Sequence, residues 1–321
     1  MQFTEMLIPM VAAFAITVIL MPLFIGYMRM KKEGQTIREV GPKWHKKKNG
    51  TPTMGGMVFI LAIVVAAIFT GWWQHQLTLS VWAGLFILVL YGALGFWDDF
   101  ISVELHRNMG LKAWQKLLGQ IVGGAVFLTA YFHEGFPTVL PLFGYQLNVA
   151  WVFAVFALFW LVGFSNAVNL SDGLDGLVAG LSMIAFAAYA VLAVHDGRTD
   201  VLILCLVTIG AMVGFFLFNH KPAKVFMGDT GSLALGGLIA VIALLLDRPW
   251  SLLLIGIVFV CETASVILQV GSFKLFHRRI FKMAPIHHHF ELLGWSEWKV
   301  DTVFWLVGLI GAVLYLVYAL A

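Results

Sequence analysis

Residues 150–194 read AWVFAVFALFWLVGFSNAVNLSDGLDGLVAGLSMIAFAAYAVLAV. Two apolar runs, 150–165 and 174–194, each approach the ~20 residues that carry a helix across a bilayer. The only charges in the stretch are Asp172 and Asp175. Between the runs stands SNAVNLSDGLDGL, a turn of amides, hydroxyls, carboxylates and glycines. This is the pattern of two membrane helices joined by a polar turn, and the rest of the chain repeats it. Further apolar runs fall near 6–28, 54–70, 80–97, 114–132, 201–218, 231–246, 250–270 and 302–320, so the sequence predicts about ten transmembrane helices. The 321 residues are 61% hydrophobic and 12% charged, against about 25% charge in an ordinary soluble domain. Soluble, disordered and disulfide-rich secreted classes are excluded together. The expected fold is an all-α polytopic membrane helix bundle, a single domain over 1–321.

Charge fixes the expected orientation. If the segments between runs are numbered alternately, one set holds eighteen of the twenty Lys and Arg residues and the other holds only Arg198 and Arg248. Because cytoplasmic loops carry the Lys/Arg excess, the rich set, 29–48, 98–116, 219–230 and 271–300, is predicted to face the cytoplasm, with both termini outside. The opening MQFTEM has no positive region before its apolar run, which predicts no cleaved signal peptide. Cys205 and Cys261 lie in apolar runs and form no metal or disulfide pattern.

The unusual polar residues gather on the predicted cytoplasmic side, in GPKWHKKKNGTPTMGG (41–56), GFWDDF (95–100), SNAVNLSDGLDGL (165–177), FNHKPAKVFMGDTGSL (218–233) and APIHHHFELLGW (284–295). Five clusters at one face predict one active site there. Asp98 and Asp99, expected at the C-terminal, negative end of the third span, call for a cation: Mg²⁺, Lys112 or Lys116. Asp172 and Asp175 read either as caps of the sixth span or, at i,i+3, as paired carboxylates on one helix face. Asn166 and Asn169 add amides. Asp229 reads as an N-cap of the eighth span or as a carboxylate beside a helix start that binds anions. His287, His288 and His289 fit hydrogen bonding to an anionic ligand better than zinc, because consecutive side chains converge poorly on a tetrahedral ion. Glu262, inside the ninth span, is a functional candidate or a partner of Ser265. The basic run 43–48 suits a lipid surface or a shaped loop, and 271–283 suits an interfacial amphipathic stretch.

Neither a GxxxxGK[ST] loop nor a dinucleotide fingerprint is present, and nothing points to nucleic acid. Carboxylates, lysines, imidazoles and glycine turns on the rim of a bundle describe metal-assisted phosphate chemistry, with a lipid substrate reached from the bilayer and a soluble one from the cytosol. A transporter would instead place its ionisable residues at mid-depth, where only Glu262, Gln269 and a few amides qualify.

The runs GTPTMGG, GFWDDF, SNAVNLSDGLDGL, VFMGDTGSLALGG and PIHHHFELLGW closely resemble the phospho-N-acetylmuramoyl-pentapeptide-transferase family of bacterial inner-membrane enzymes, and the resemblance covers essentially the whole chain. It implies transfer of phospho-N-acetylmuramoyl-pentapeptide from UDP-N-acetylmuramoyl-pentapeptide to undecaprenyl phosphate, with release of UMP, dependence on Mg²⁺, and a homodimer. By motif it implies that Asp229 is a metal ligand, that Asp98 and Asp99 lie near the lipid phosphate, and that Lys48, Asp172, Asp175, Asn219 and Phe226 form the nucleotide pocket, with Phe226 stacking on uracil. Thr53, Lys116, Asn169, His287, His288 and His289 are implied as further contacts, His288 among the catalytic groups. Lys46 and Lys47 compete with Lys48, and Lys112 with Lys116. A transferase for another UDP-N-acetylhexosamine remains the nearest alternative within the wider superfamily.

Overall fold

In a computed structural model, residues 3–31, 50–104, 110–142 and 145–321 are described. Lys46, Lys47 and Lys48 lie outside them. The chain forms α1 (Phe3–Met30), α2 (Gly56–Trp73), α3 (Leu79–Glu104), α4 (Ala113–His133), a hairpin of β1 (Val139–Leu142) and β2 (Tyr145–Asn148), then α5 (Ala150–Ser171), α6 (Leu177–His195), α7 (Thr199–Asn219), α8 (Gly228–Leu245), a short α9 (Leu252–Ile255), α10 (Ile257–Phe276), a short α11 (Ile286–Glu291) and α12 (Glu297–Leu320).

Among the described residues nine helices are long and apolar enough to cross a membrane: α1, α2, α3, α5, α6, α7, α8, α10 and α12. The remaining expected span is α4. Its 21 residues give about 31 Å of helix at 1.5 Å per residue, but Gln115, Lys116 and Gln120 make its first half polar. The ninth expected span is interrupted. A 3₁₀ turn at Pro249–Ser251 leads into α9, and Gly256 separates α9 from α10. The hairpin, with Val139 opposite Asn148 and Leu142 opposite Tyr145, stands where the sequence suggested only a loop.

Helix α8 is the axis of the bundle. Every residue from Thr230 to Leu245 is buried, and α2, α3 and α5 pack around it. A helix that is apolar on all sides can face lipid or be enclosed by protein; here the small Gly and Ala residues of ALGGLIAVIALL let the neighbouring helices approach closely enough to enclose it. At one end of the bundle sit the two cations of the charge-poor segments, both paired: Arg198 with Asp200 at 3.0 Å and Arg248 with Asp196 at 2.9 Å. The acidic, amide and imidazole clusters meet at the other end.

Candidate active site

The site is built on the first turn of α8. Its sequence, GDTGS, begins with Gly228 at φ +70°, which turns the chain sharply into the helix and leaves the amides of Asp229 and Thr230 without intrahelical partners. They donate to Asp99 of α3, Asp229 N to Oδ1 at 3.1 Å and Thr230 N to Oδ2 at 2.9 Å, and the Thr230 hydroxyl adds a bond to Oδ2 at 2.7 Å. The anion at this helix start is therefore Asp99. One alternative falls and one expectation is corrected. Asp229 does not cap α8, because α3 supplies the cap and frees the Asp229 carboxylate. Asp98 and Asp99 do not end the third span either, since α3 runs on to Glu104. A Cβ built on Gly228 would lie 3.0 Å from both Asp99 Cγ and Thr53 Oγ1, so buried Thr53 stands against the same cap.

The carboxylate so released joins a bridged pair. Lys116 Nζ, in the first turn of α4, lies 3.1 Å from Asp229 Oδ2 and 3.2 Å from Asp98 Oδ1. Asn169, near the end of α5, donates from Nδ2 to Asp229 Oδ1 at 2.8 Å and to Ser232 Oγ at 2.9 Å. Asp98 Oδ1 also accepts from Leu111 N at 2.8 Å. Of the two competing lysines, Lys116 reaches the carboxylates, while exposed Lys112 precedes α4 as its N-cap residue. Two carboxylates facing one ammonium carry a formal excess of one negative charge, while Asp99, turned to the start of α8, lies at the favourable end of that helix's dipole.

A layer of buried amides lies beneath. Gln120, one turn after Lys116, donates to Ser165 Oγ and accepts from Asn166 Nδ2, both at 3.0 Å, and Ser165 Oγ donates to Leu233 O at 3.0 Å. The Tyr91 hydroxyl donates to Gln120 O at 2.8 Å. This lattice ties α3, α4, α5 and α8 together directly below Lys116 and Asn169. Sequence reasoning missed Gln120, Ser165, Thr230 and Ser232; the available signal was a glutamine inside an apolar run four residues after a lysine.

Alongside, residues 52–56 run against 226–227. Phe226 N donates to Pro52 O at 2.8 Å, Gly55 N to Phe226 O at 2.9 Å and Gly56 N to Met227 O at 3.0 Å. The half-buried Phe226 ring is carried on a backbone pinned from both sides. Asp172 and Asp175 do not share a helix face: α5 ends at Ser171 with Asp172 as its C-cap, and α6 starts only after Gly176. Both belong to a tight turn. Asp175 Oδ2 accepts from Ala223 N at 3.0 Å. Asn219 accepts from Gly176 N at 3.1 Å and donates to Val225 O at 2.9 Å, so its amide braces the turn against the 220–227 loop instead of facing outward.

The three histidines diverge, as their spacing predicts. His287 Nδ1 pairs with Glu262 Oε1 at 3.0 Å, His288 Nδ1 with Glu291 Oε2 at 2.8 Å, and His289 Nδ1 accepts from Lys282 N at 3.1 Å. Ser265 Oγ donates to the Glu262 carbonyl at 2.6 Å, so it is not the partner of the carboxylate. Glu291, the buried partner of His288, escaped sequence reasoning.

Among the described residues no group of three His, Cys, Asp or Glu side chains is placed to cage a metal. Mg²⁺ needs none: it usually takes one or two protein carboxylates and completes its shell with phosphate oxygens and water. Asp98 and Asp229, hard oxygen donors already bridged by a cation, fit that requirement.

Residues 81–247 of this polytopic helical bundle match glycosyl transferase family 4, which makes the protein an integral-membrane transferase with a lysine-bridged acidic centre at one end. Three relatives are named phospho-N-acetylmuramoyl-pentapeptide-transferase. The protein from Lacticaseibacillus paracasei is 69% identical, covering 100% of both chains. That from Latilactobacillus sakei is 62% identical over 97% of this chain and 98% of its own. That from Enterococcus faecalis is 61% identical over 97% of each. The chain belongs to the phospho-N-acetylmuramoyl-pentapeptide-transferase family.

Proposed function

We propose that the protein transfers phospho-N-acetylmuramoyl-pentapeptide from its UDP carrier to undecaprenyl phosphate at the cytoplasmic face of the bacterial cell membrane, yielding the first lipid intermediate of peptidoglycan synthesis and UMP. The observation that carries this reading is the bridge from Asp98 through Lys116 to Asp229, set at one end of a membrane bundle in a chain of this family. A lipid-side phosphate and a cytosolic diphosphate can both reach that end.

The chemistry follows from charge. A phosphate monoester has its second pKa near 6, so the acceptor is largely a dianion at neutral pH and needs little help from a base. Its obstacle is repulsion from the donor diphosphate. In direct attack, an oxygen of the lipid phosphate forms the new bond to the sugar-linked phosphorus, and the bond to the UMP oxygen breaks with its electron pair leaving on UMP. Lys116 can exchange its carboxylate partners for phosphate oxygens, Asp98 orients the acceptor, and Asn169 holds Asp229 in place. Mg²⁺, held by Asp229 with Asp98 in reach, would supply electrostatic stabilisation of the phosphates when bound. Phe226 is positioned for stacking on uracil, beside Thr53, with Asp172 and Asp175 lining the donor side. His288, polarised by Glu291, faces charge on the transferred group.

The test supplies purified protein with Mg²⁺, undecaprenyl phosphate and either UDP-N-acetylmuramoyl-pentapeptide or UDP-N-acetylglucosamine. The expected result is lipid-linked product and UMP from the first donor only. Preference for the second donor would move the protein to another branch of the superfamily. A phosphorylated protein formed from donor without lipid would replace direct attack with a covalent aspartyl-phosphate route.

A further inference from the structure

Glu262 and His287 are both fully buried, at 0% exposure, and 25 residues separate them in sequence. Glu262 lies in the second turn of α10 and His287 in α11. The chain between them doubles back along α10, where Gln269 clips it: Oε1 accepts from Ile280 N and Phe281 N at 2.9 Å, and Nε2 donates to Phe281 O at 2.8 Å. The last fourteen residues of α10 therefore project about 21 Å beyond Glu262, and the pair sits at the level of the 172–176 turn.

The pair is poorly satisfied. Glu262 Oε2 and His287 Nε2 are buried without a hydrogen-bond partner. Buried unpaired polar atoms reduce stability, and two apolar residues would fill the same space without that penalty. On its far side the imidazole lies on the backbone of Gly173. A Cβ added there would overlap Nε2 and would stand 2.7 Å from Cε1. Gly173 lies between Asp172 and Asp175, so its placement fixes theirs.

We infer that Glu262 and His287 form a strut that sets the height of the 172–176 turn, which makes Glu262 a positioning residue for the donor side of the site and His287 a buried support instead of a substrate contact. The inference deepens the proposed function and rests on it for the word donor. The carboxylate orients the ring, the ring abuts Gly173, and Asp175 is held from the opposite side by Ala223 N.

The experiment is a cycle of Gly173→Ala, His287→Ala and the double variant, with Glu262→Gln and Glu262→Ala beside it, read by kcat, by KM for each substrate and by thermal unfolding. Losing a group that orients a metal ligand typically costs about 10–100-fold, and that range sets the scale for a comparable positioning strut. Gly173→Ala and His287→Ala are each expected to raise the donor KM at least about tenfold with the lipid KM unchanged. The double variant should be no worse than His287→Ala alone, because removing the ring makes room for the added methyl. Glu262→Gln, which keeps the acceptor oxygen, should stay within about threefold of wild type, and Glu262→Ala should behave like His287→Ala. Losses that multiply in the double variant would overturn the strut. So would a silent Gly173→Ala beside a damaging His287→Ala, which would make the ring a direct substrate contact, or a lower unfolding temperature with both KM values unchanged. If the wild-type protein transfers nothing, the proposed function fails, and the strut is judged on unfolding alone: non-additive shifts in the cycle support it, additive shifts overturn it.

Discussion

Substituting Asp99 by Asn separates a structural carboxylate from its chemically active neighbour. Asp99 accepts three hydrogen bonds from the first turn of α8. An asparagine can present only one oxygen, so its NH₂ group must face at least one donor. Loss of a capping acceptor costs about 1 kcal/mol, within a range of about 0.5–2. Loss of the negative charge from the helix start adds about 0.3–1 kcal/mol. A total of about 1–3 kcal/mol follows, concentrated at the turn that presents Asp229. Asp98→Asn removes one side of a partly exposed lysine bridge, a contribution of about 0–1 kcal/mol, and leaves the α8 cap intact. Thermal unfolding in detergent should therefore fall by several degrees for Asp99→Asn and barely move for Asp98→Asn, while UMP release falls sharply for both. An Asp99→Asn protein as stable as wild type yet inactive would refute the capping argument and return Asp99 to direct contact with substrate.

Lys116→Met should abolish most turnover by leaving Asp98 and Asp229 facing each other without a counter-charge, whereas Lys112→Met should stay within about twofold, as expected for a solvated lysine; parallel UMP-release assays decide. Phe226→Ala should raise the KM for the UDP donor by the equivalent of about 1–3 kcal/mol, the value of one base stacked on an aromatic ring, and an unchanged donor KM would exclude uracil stacking there. Gln120→Met removes the amide beneath Lys116, yet Asn166 keeps its bond to Val162 O and Ser165 its bond to Leu233 O. The variant should fold and lose about ten- to a hundredfold in kcat, and combining it with Lys116→Met should add no further loss.

Most of the architecture was legible because membrane spans announce themselves by composition, and the gathering at one end of the polar clusters around Asp98, Asp172, Asp229 and His287, with residues 50–56, followed from loop alternation alone. What stayed hidden depended on groups distant in sequence. Asp229 could be read as a cap or as a functional carboxylate, and only tertiary contact separates the two: Asp99, 130 residues earlier, takes the cap. Asp172 and Asp175 looked like a helical pair because their spacing fits one turn, yet Gly176, at φ +86°, delays the next helix until Leu177. The break at Gly256 carried no charge signal, and the carboxylate partners of His287 and His288 could not be assigned without the fold of 277–291. The resemblance named Lys116 with Lys112 as a competitor, and only the packing of α4 shows that Lys116 is the one beside the carboxylates.

The most direct measurement follows labelled sugar-phosphate into extractable lipid while UMP is counted in the same reaction, for wild-type protein and for Asp229→Asn. One UMP per lipid product from the wild type, with product formation reduced by orders of magnitude in the variant, is the outcome predicted by a centre organised around Asp229. Equal rates from the two proteins would contradict it.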